Sequence, residues 1–196
     1  MSPKLKPLKV WYYKNIASTV KSGQKSFSAQ FALPTLTDDE KAQLILINGL
    51  KWQRDCHQWY LKMHMNIYNA AIKIIKDNRL WAMPLNHCSS FEDVYATVYE
   101  LLGMKYINQL TIYDVAVRII NAQSEMRLMP KDYVYVHAKP RAVYKDLQSK
   151  GYIKYKPKGW NVKISMNDLP EFAGMSPLDI EILLCEIGKG HYSLVP

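Results

Sequence analysis

The chain has 196 residues, 26 Lys or Arg against 17 Asp or Glu, a formal net charge of +9 and a hydrophobic share of 48%. That share supplies a packed core for one domain, or one domain with an arm, and excludes a chain disordered throughout. No apolar run approaches the roughly 20 residues of a membrane span, and the positive excess favours a polyanion, whether nucleic acid, an anionic membrane or an acidic protein, among which charge alone does not choose; no membrane partner is expected.

Residues 1–35 read as an arm. Pro3, Pro7, Gly23 and Pro34 punctuate it, its middle is rich in Lys and Ser, and short extended pieces are expected around Val10 to Tyr13. The arm either packs on the body through Trp11 and Tyr13 or stays mobile. The stretch MSPKLKPLKVWYYK has no apolar segment long enough for a signal peptide, and Cys56, Cys88 and Cys185 form no disulfide framework. The expectation is a cytoplasmic protein.

Residues 36–196 read as a helical domain. Thr37-Asp38-Asp39-Glu40 is a capping box, in which the Thr and Glu side chains exchange hydrogen bonds with each other's backbone. Asn48-Gly49 bends or interrupts the helix that this box opens. A long helix is then expected from Leu50 to Asp77, with Trp52, Cys56, Trp59, Met63, Ile67, Ala70 and Ile74 near helical spacing. Trp59, Tyr60 and Tyr68 make it aromatic on more than one side, which suits a core helix or a partner surface. After a connection over 78–86, Ser89 or Ser90 caps a helix through Leu102, and Gly103 ends it. Thr111 to Asp114 opens another helix to Asn121, with Asp114 and Arg118 at ion-pair spacing. Tyr133 to His137 reads as a short strand or extended linker.

Pro140 suits the first turn of the next helix and Gly151 its end. Val143 and Leu147 share an inward face, while Arg141, Lys145 and Gln148 lie opposite. Beyond Gly151 the period changes to two, with Pro157-Lys158-Gly159 as a turn and Trp160, Val162, Ile164 and Met166 alternating with polar residues. That pattern predicts a hairpin. Ser176-Pro177-Leu178-Asp179 caps a last helix to about Ile187, with Ile180, Leu183, Leu184 and Ile187 as its stripe. The expected fold class is mainly α, a multi-helix domain with one small β-hairpin; the alternative is an α+β, winged-helix-like C-terminal half.

Charge concentrates in one window. Pro140 to Ile164 holds seven Lys or Arg and one acid, Asp146. The segment 139–166 is therefore the candidate nucleic-acid surface, through Lys139, Arg141, Tyr144, Lys145, Lys154, Lys156, Lys158 and Lys163. Lysines on a helix and ribbon neutralise phosphates, and aromatic rings stack on unpaired bases. The bland reading is that the aromatics are core and the lysines are only solvated. DNA is expected rather than RNA, since a helix of this size fits the major groove. An acidic protein on the same surface is the alternative partner.

This basic helix and ribbon resembles the last helix and wing of winged-helix DNA-binding domains. The segments LLGMKYINQLTIYDVAVRI and YVYVHAKPRAV also resemble a degenerate helix-hairpin-helix core of the base-excision DNA glycosylases. The resemblance implies a phosphate-gripping hairpin, with His137 and Arg141 in that family's His and Arg places. The hairpin glycines are replaced by residues such as Tyr106 and Asn108, and Tyr135 stands where the catalytic Asp is expected. Residues 111–185 are also similar to uncharacterised bacterial proteins, through Tyr113-Asp114 with Arg118, Tyr135-Val136-His137-Ala138, and Ser176-Pro177 with Glu181 and Cys185. A diverged glycosylase-like or nuclease-like enzyme would use a pocket of Asp114, Arg118, Tyr135 and His137. Against that, Asp114 suits a capping and ion-pairing role, Glu181 suits the first turns of a helix, and His137 suits a structural place at the strand–helix junction. Cys56-His57, His64 and His87-Cys88 lack zinc-site spacing, so no metal or cofactor is expected.

Overall fold

The computed structural model describes residues 5–30, 35–37, 40, 41, 43, 44, 46–48, 50, 51, 65–77, 87–102, 109–122, 126–155 and 163–194. The fold is mainly helical with one two-stranded antiparallel sheet. The chain forms two compact units: residues 1–22 with 130–196 make unit 1, and residues 23–129 make unit 2.

Unit 1 begins with α1 (Lys6–Asn15), which is followed by α2 (Ala17–Gln30), a helix that runs on into unit 2's part of the chain. The extended pieces expected around Val10 to Tyr13 are instead part of α1. Pro7 sits in its first turn, where the missing N–H costs nothing. Leu5, Leu8 and Tyr12 recur at helical spacing and are buried. Of the two alternatives for the N-terminal stretch, α1 therefore takes the packed one, through Leu5, Leu8 and Tyr12 with Trp11 against the same core. Two polar contacts pin α1. The Lys9 ammonium donates to the Ala173 carbonyl, and the Tyr12 hydroxyl donates to Asp179 Oδ1 at 2.7 Å.

The rest of unit 1 is β1 (Tyr133–Tyr135), α6 (Ala138–Ser149), β2 (Lys163–Ser165) and α7 (Pro177–Gly188). α7 packs on α6 and on β1. The strands pair with Tyr133 opposite Ser165, Val134 opposite Ile164 and Tyr135 opposite Lys163. The partner of 163–165 is therefore the segment before the basic helix, not residues 152–156 after it. Tyr152 and Ile153 are both buried, so the expected two-residue alternation fails there. The core joins Leu5, Leu8 and Tyr12 to Val134, Tyr144, Leu147, Ile164, Phe172, Ile180, Leu183 and Leu184. Each fully buried Leu or Phe of this set contributes about 1.5–3 kcal/mol. Ser176 caps α7 by accepting from the Asp179 amide at 3.1 Å, and the expected stripe of Ile180, Leu183, Leu184 and Ile187 is its buried face.

Unit 2 contains α3 (Met65–Asp77), α4 (Phe91–Leu102) and α5 (Gln109–Ala122) among its described residues. α4 packs against both α3 and α5, with Phe91 edge-on to Tyr113 at 5.5 Å. The Thr37–Glu40 box forms as expected, the Thr37 amide donating to Glu40 Oε2 at 2.8 Å and the Glu40 amide to Thr37 Oγ1 at 3.3 Å. Ser90 caps α4, accepting from the Asp93 amide at 3.2 Å, and Asp93 accepts in return from Ser89 and Ser90. These hydrogen bonds, led by that from the Ser89 hydroxyl, hold the Asp93 carboxyl down at about 2. The aromatic positions Trp52, Trp59 and Tyr60 lie outside the described residues; Tyr68 is buried.

Candidate nucleic-acid interface

α6 starts directly after β1. His137 is its N-cap in extended conformation and uses no side-chain cap bond. Gly151 ends the helix with φ near +72°, a left-handed conformation that a β-carbon disfavours. The Tyr152 amide then bonds back to the Leu147 carbonyl at 2.8 Å and the Gly151 amide to the Gln148 carbonyl at 3.0 Å. This closure turns the chain sharply and carries it away along the edge of α6.

The segment after the turn is held by three side chains. Glu171 Oε1 accepts from the Lys154 amide at 3.0 Å. The Tyr144 hydroxyl donates to the Tyr155 carbonyl at 3.0 Å, and the Gln148 amide group donates to the same carbonyl at 3.3 Å. The backbone that bears Lys154 is thus fixed while its side chain stays exposed. Glu171 is buried, and its other oxygen, Oε2, makes no hydrogen bond among the described residues. Sequence reading missed Glu171, because its partner lies 17 residues away and is a backbone group.

The expected contact residues fall into three groups. Lys145, Lys154 and Lys163 are exposed and Arg141 is half-exposed. The Lys163 ammonium lies 4.3 Å from the centre of the Tyr133 ring, a cation–π contact. Lys156, Lys158 and the Lys139 side chain lie outside the described residues. Tyr144 is not on this surface. It is 2% exposed and fills the core beside Leu147, because the inward face of α6 is wider than the Val143–Leu147 pair alone. Burial, and then the nearby Glu171 charge, hold the Tyr144 phenol above its ordinary value.

A groove of about 350 Å³ opens along another side of α6. Ala142, Val143, Asp146 and Lys150 form one wall, with Ile187, Gly188, Tyr192 and Leu194 opposite. Asp146 and Lys150 are ion-paired at 3.2 Å, which neutralises the one acid of the basic window.

The residues of the expected pocket belong to different stretches of the chain. Asp114 and Arg118 are on α5 in unit 2, and Tyr135 and His137 are in unit 1. The hairpin segment 103–108 lies outside the described residues. Tyr135 and His137 stack with centroids 6.2 Å apart. His137 is 6% exposed, and burial lowers its pKa from 6.5 to about 4. An imidazole held neutral in this way is a poor phosphate ligand. No group of three or more His, Cys, Asp or Glu able to hold a metal occurs among the described residues. Of the Cys and His residues weighed as zinc ligands, Cys88 is buried beside Thr97, His87 is exposed, and Cys56, His57 and His64 lie outside the described residues.

Electrostatics set unit 1 apart. By sequence it contains 15 Lys or Arg and 7 Asp or Glu, a net +8, whereas unit 2 contains 11 and 10, a net +1. Five of unit 1's acids are committed within the unit. Glu171 and Glu181 are buried, Asp179 accepts from Tyr12 and Ser176, Glu186 accepts from Lys189 and His191, and Asp146 pairs with Lys150. No helix among the described residues is long and apolar enough to cross a membrane. No family model matches the chain, and neither does any curated protein or solved structure.

Proposed function

We propose that unit 1 binds nucleic acid, duplex DNA rather than RNA, without catalysing a reaction, and does so in the cytoplasm. The carrying observation is the segregation of charge: nearly all of the chain's positive excess belongs to the unit whose acids are largely buried or paired. Arg141 and Lys145 on α6, Lys154 on the pinned segment and Lys163 on β2 supply cations from three pieces of backbone. Phosphates are met by such fixed cations with release of counterions, independent of sequence. The twelve residues of α6 span about 18 Å, a length suited to the B-form major groove and not to the deep, narrow one of A-form RNA.

The test is binding of labelled duplex DNA to the full chain and to the variant Lys145→Glu/Lys154→Glu/Lys163→Glu, at low salt. The expected result is loss of binding with the helical content retained, since all three side chains are exposed. Unchanged affinity in the variant removes the proposal. Tighter binding of RNA than of DNA corrects the ligand.

A further inference from the structure

α1 has a second face that the core does not use. Leu5, Leu8 and Tyr12 point inward, but Val10 is 59% and Tyr13 46% exposed. Among the described residues these are the two large hydrophobic side chains that unit 1 leaves exposed; the remainder are in unit 2. They lie nearly one turn apart, and Lys6 and Lys14 continue the same side of the helix at four- and eight-residue spacing. Both lysines are exposed and form no ion pair among the described residues. No Asp or Glu precedes Asp38 in the sequence. The Tyr13 ring stands edge-on to Tyr12, and its hydroxyl reaches the Gly174 carbonyl at 3.4 Å, so the ring is braced rather than loose. The stripe reads basic–apolar–apolar–basic over about 12 Å of helix.

We propose that this stripe docks an acidic, amphipathic segment of a partner protein. Its apolar side chains would cover Val10 and Tyr13, and flanking carboxylates would pair with Lys6 and Lys14. Charge complementarity chooses the partner's sign, and a braced aromatic beside an aliphatic residue is a usual interface anchor. A lipid surface fits less well. Interfacial helices bury a broad apolar face, and the broad face of α1 is already spent on Leu5, Leu8 and Tyr12. A nucleic-acid backbone would engage the lysines but leave Val10 uncovered. The stripe lies outside residues 141–163, which the DNA-binding proposal uses, although Lys6 and Lys14 are counted in the net charge of unit 1.

The test is an amide-shift NMR titration of the full chain with a synthetic helical peptide bearing Leu on one face and Glu beside it. Shifts centred on residues 6–14 are expected, with affinity reduced about tenfold or more, near 1.4 kcal/mol, in Val10→Ser and in Lys6→Glu/Lys14→Glu. A scrambled peptide of the same composition should bind at least tenfold more weakly, by about the same energy. Shifts centred on 141–163, equal binding of the scrambled peptide, or unchanged affinity in both variants overturns the proposal. Vesicles with anionic headgroups that bind through Val10 more tightly than the peptide does would also overturn it, in favour of a lipid surface.

Discussion

Units 1 and 2 are both helical and both have apolar cores, yet they differ in charge and in how the chain builds them. Unit 2 is one continuous stretch with nearly balanced charge, and the helix starts at Thr37 and Ser90 are capped by exchanges between residues three or four apart. Unit 1 is assembled from the two ends of the chain and carries +8. Its cohesion comes from long-range contacts, such as Tyr12 to Asp179 across 167 residues. The contrast teaches that the surplus charge belongs to one unit and is not spread evenly over the chain. Four experiments break or sharpen it.

The largest effect is expected from deleting residues 1–22. This strips Leu5, Leu8 and Tyr12 from the core of unit 1, at about 1.5–3 kcal/mol per large side chain, out of a total stability of roughly 5–15 kcal/mol. Amide NMR should show unit 1 unfolded and α4 and α5 retained. A truncated chain in which α6 and α7 keep their dispersion would show that α1 is an accessory after all.

Next in size is charge reversal compared between the units. Lys145→Glu/Lys154→Glu/Lys163→Glu should lower DNA affinity about 100-fold or more, the scale of a few lost phosphate contacts, whereas Lys51→Glu/Lys73→Glu/Lys76→Glu in unit 2 should change it by less than about threefold. Equal losses would erase the distinction.

The pH dependence comes from His137. Its folded pKa of about 4 lies below the ordinary 6.5, so between those values the unfolded chain binds a proton that folded unit 1 refuses. The stability contribution is fully present above about pH 6.5 and is lost as pH falls through 4, on the order of 3 kcal/mol in all. Urea unfolding followed at amides of α6 should show this slope, and His137→Phe should flatten it. A slope unchanged by the substitution would mean that other groups titrate.

The smallest effect is expected at the α4 cap. Ser90→Ala removes the acceptor for the Asp93 amide and should cost about 1 kcal/mol, seen as faster hydrogen exchange in the first turn of α4. DNA affinity should not change. A drop in affinity would tie the two units together energetically.

Local chemistry is legible in the sequence, and non-local pairing is not. The caps at Thr37, Ser90 and Ser176 and the stop at Gly151 each depend on residues within five positions, so composition and spacing expose them. The fold class comes from the same signals. The strand pairing does not, because β1 and β2 are separated by the whole of α6, and a period-two pattern in 152–166 points to a nearer partner. The composition of α1 leaves open whether it packs or stays mobile, and its packing is decided by residues more than 150 positions away. Within the site, the exposed Lys145, Lys154 and Lys163 are legible from charge. The inward turn of Tyr144 and the buried Glu171 are not, since each is set by a backbone group in the turn after α6.

The most direct measurement is the affinity of the full chain for labelled duplex DNA as a function of salt. The logarithm of the binding constant should fall linearly with that of salt concentration, with a slope of about −3 or steeper, corresponding to three or more neutralised phosphates at roughly −0.9 each. A flat dependence, or no binding at low salt, would contradict a phosphate-binding unit 1 and leave its charge as a surface for an acidic protein.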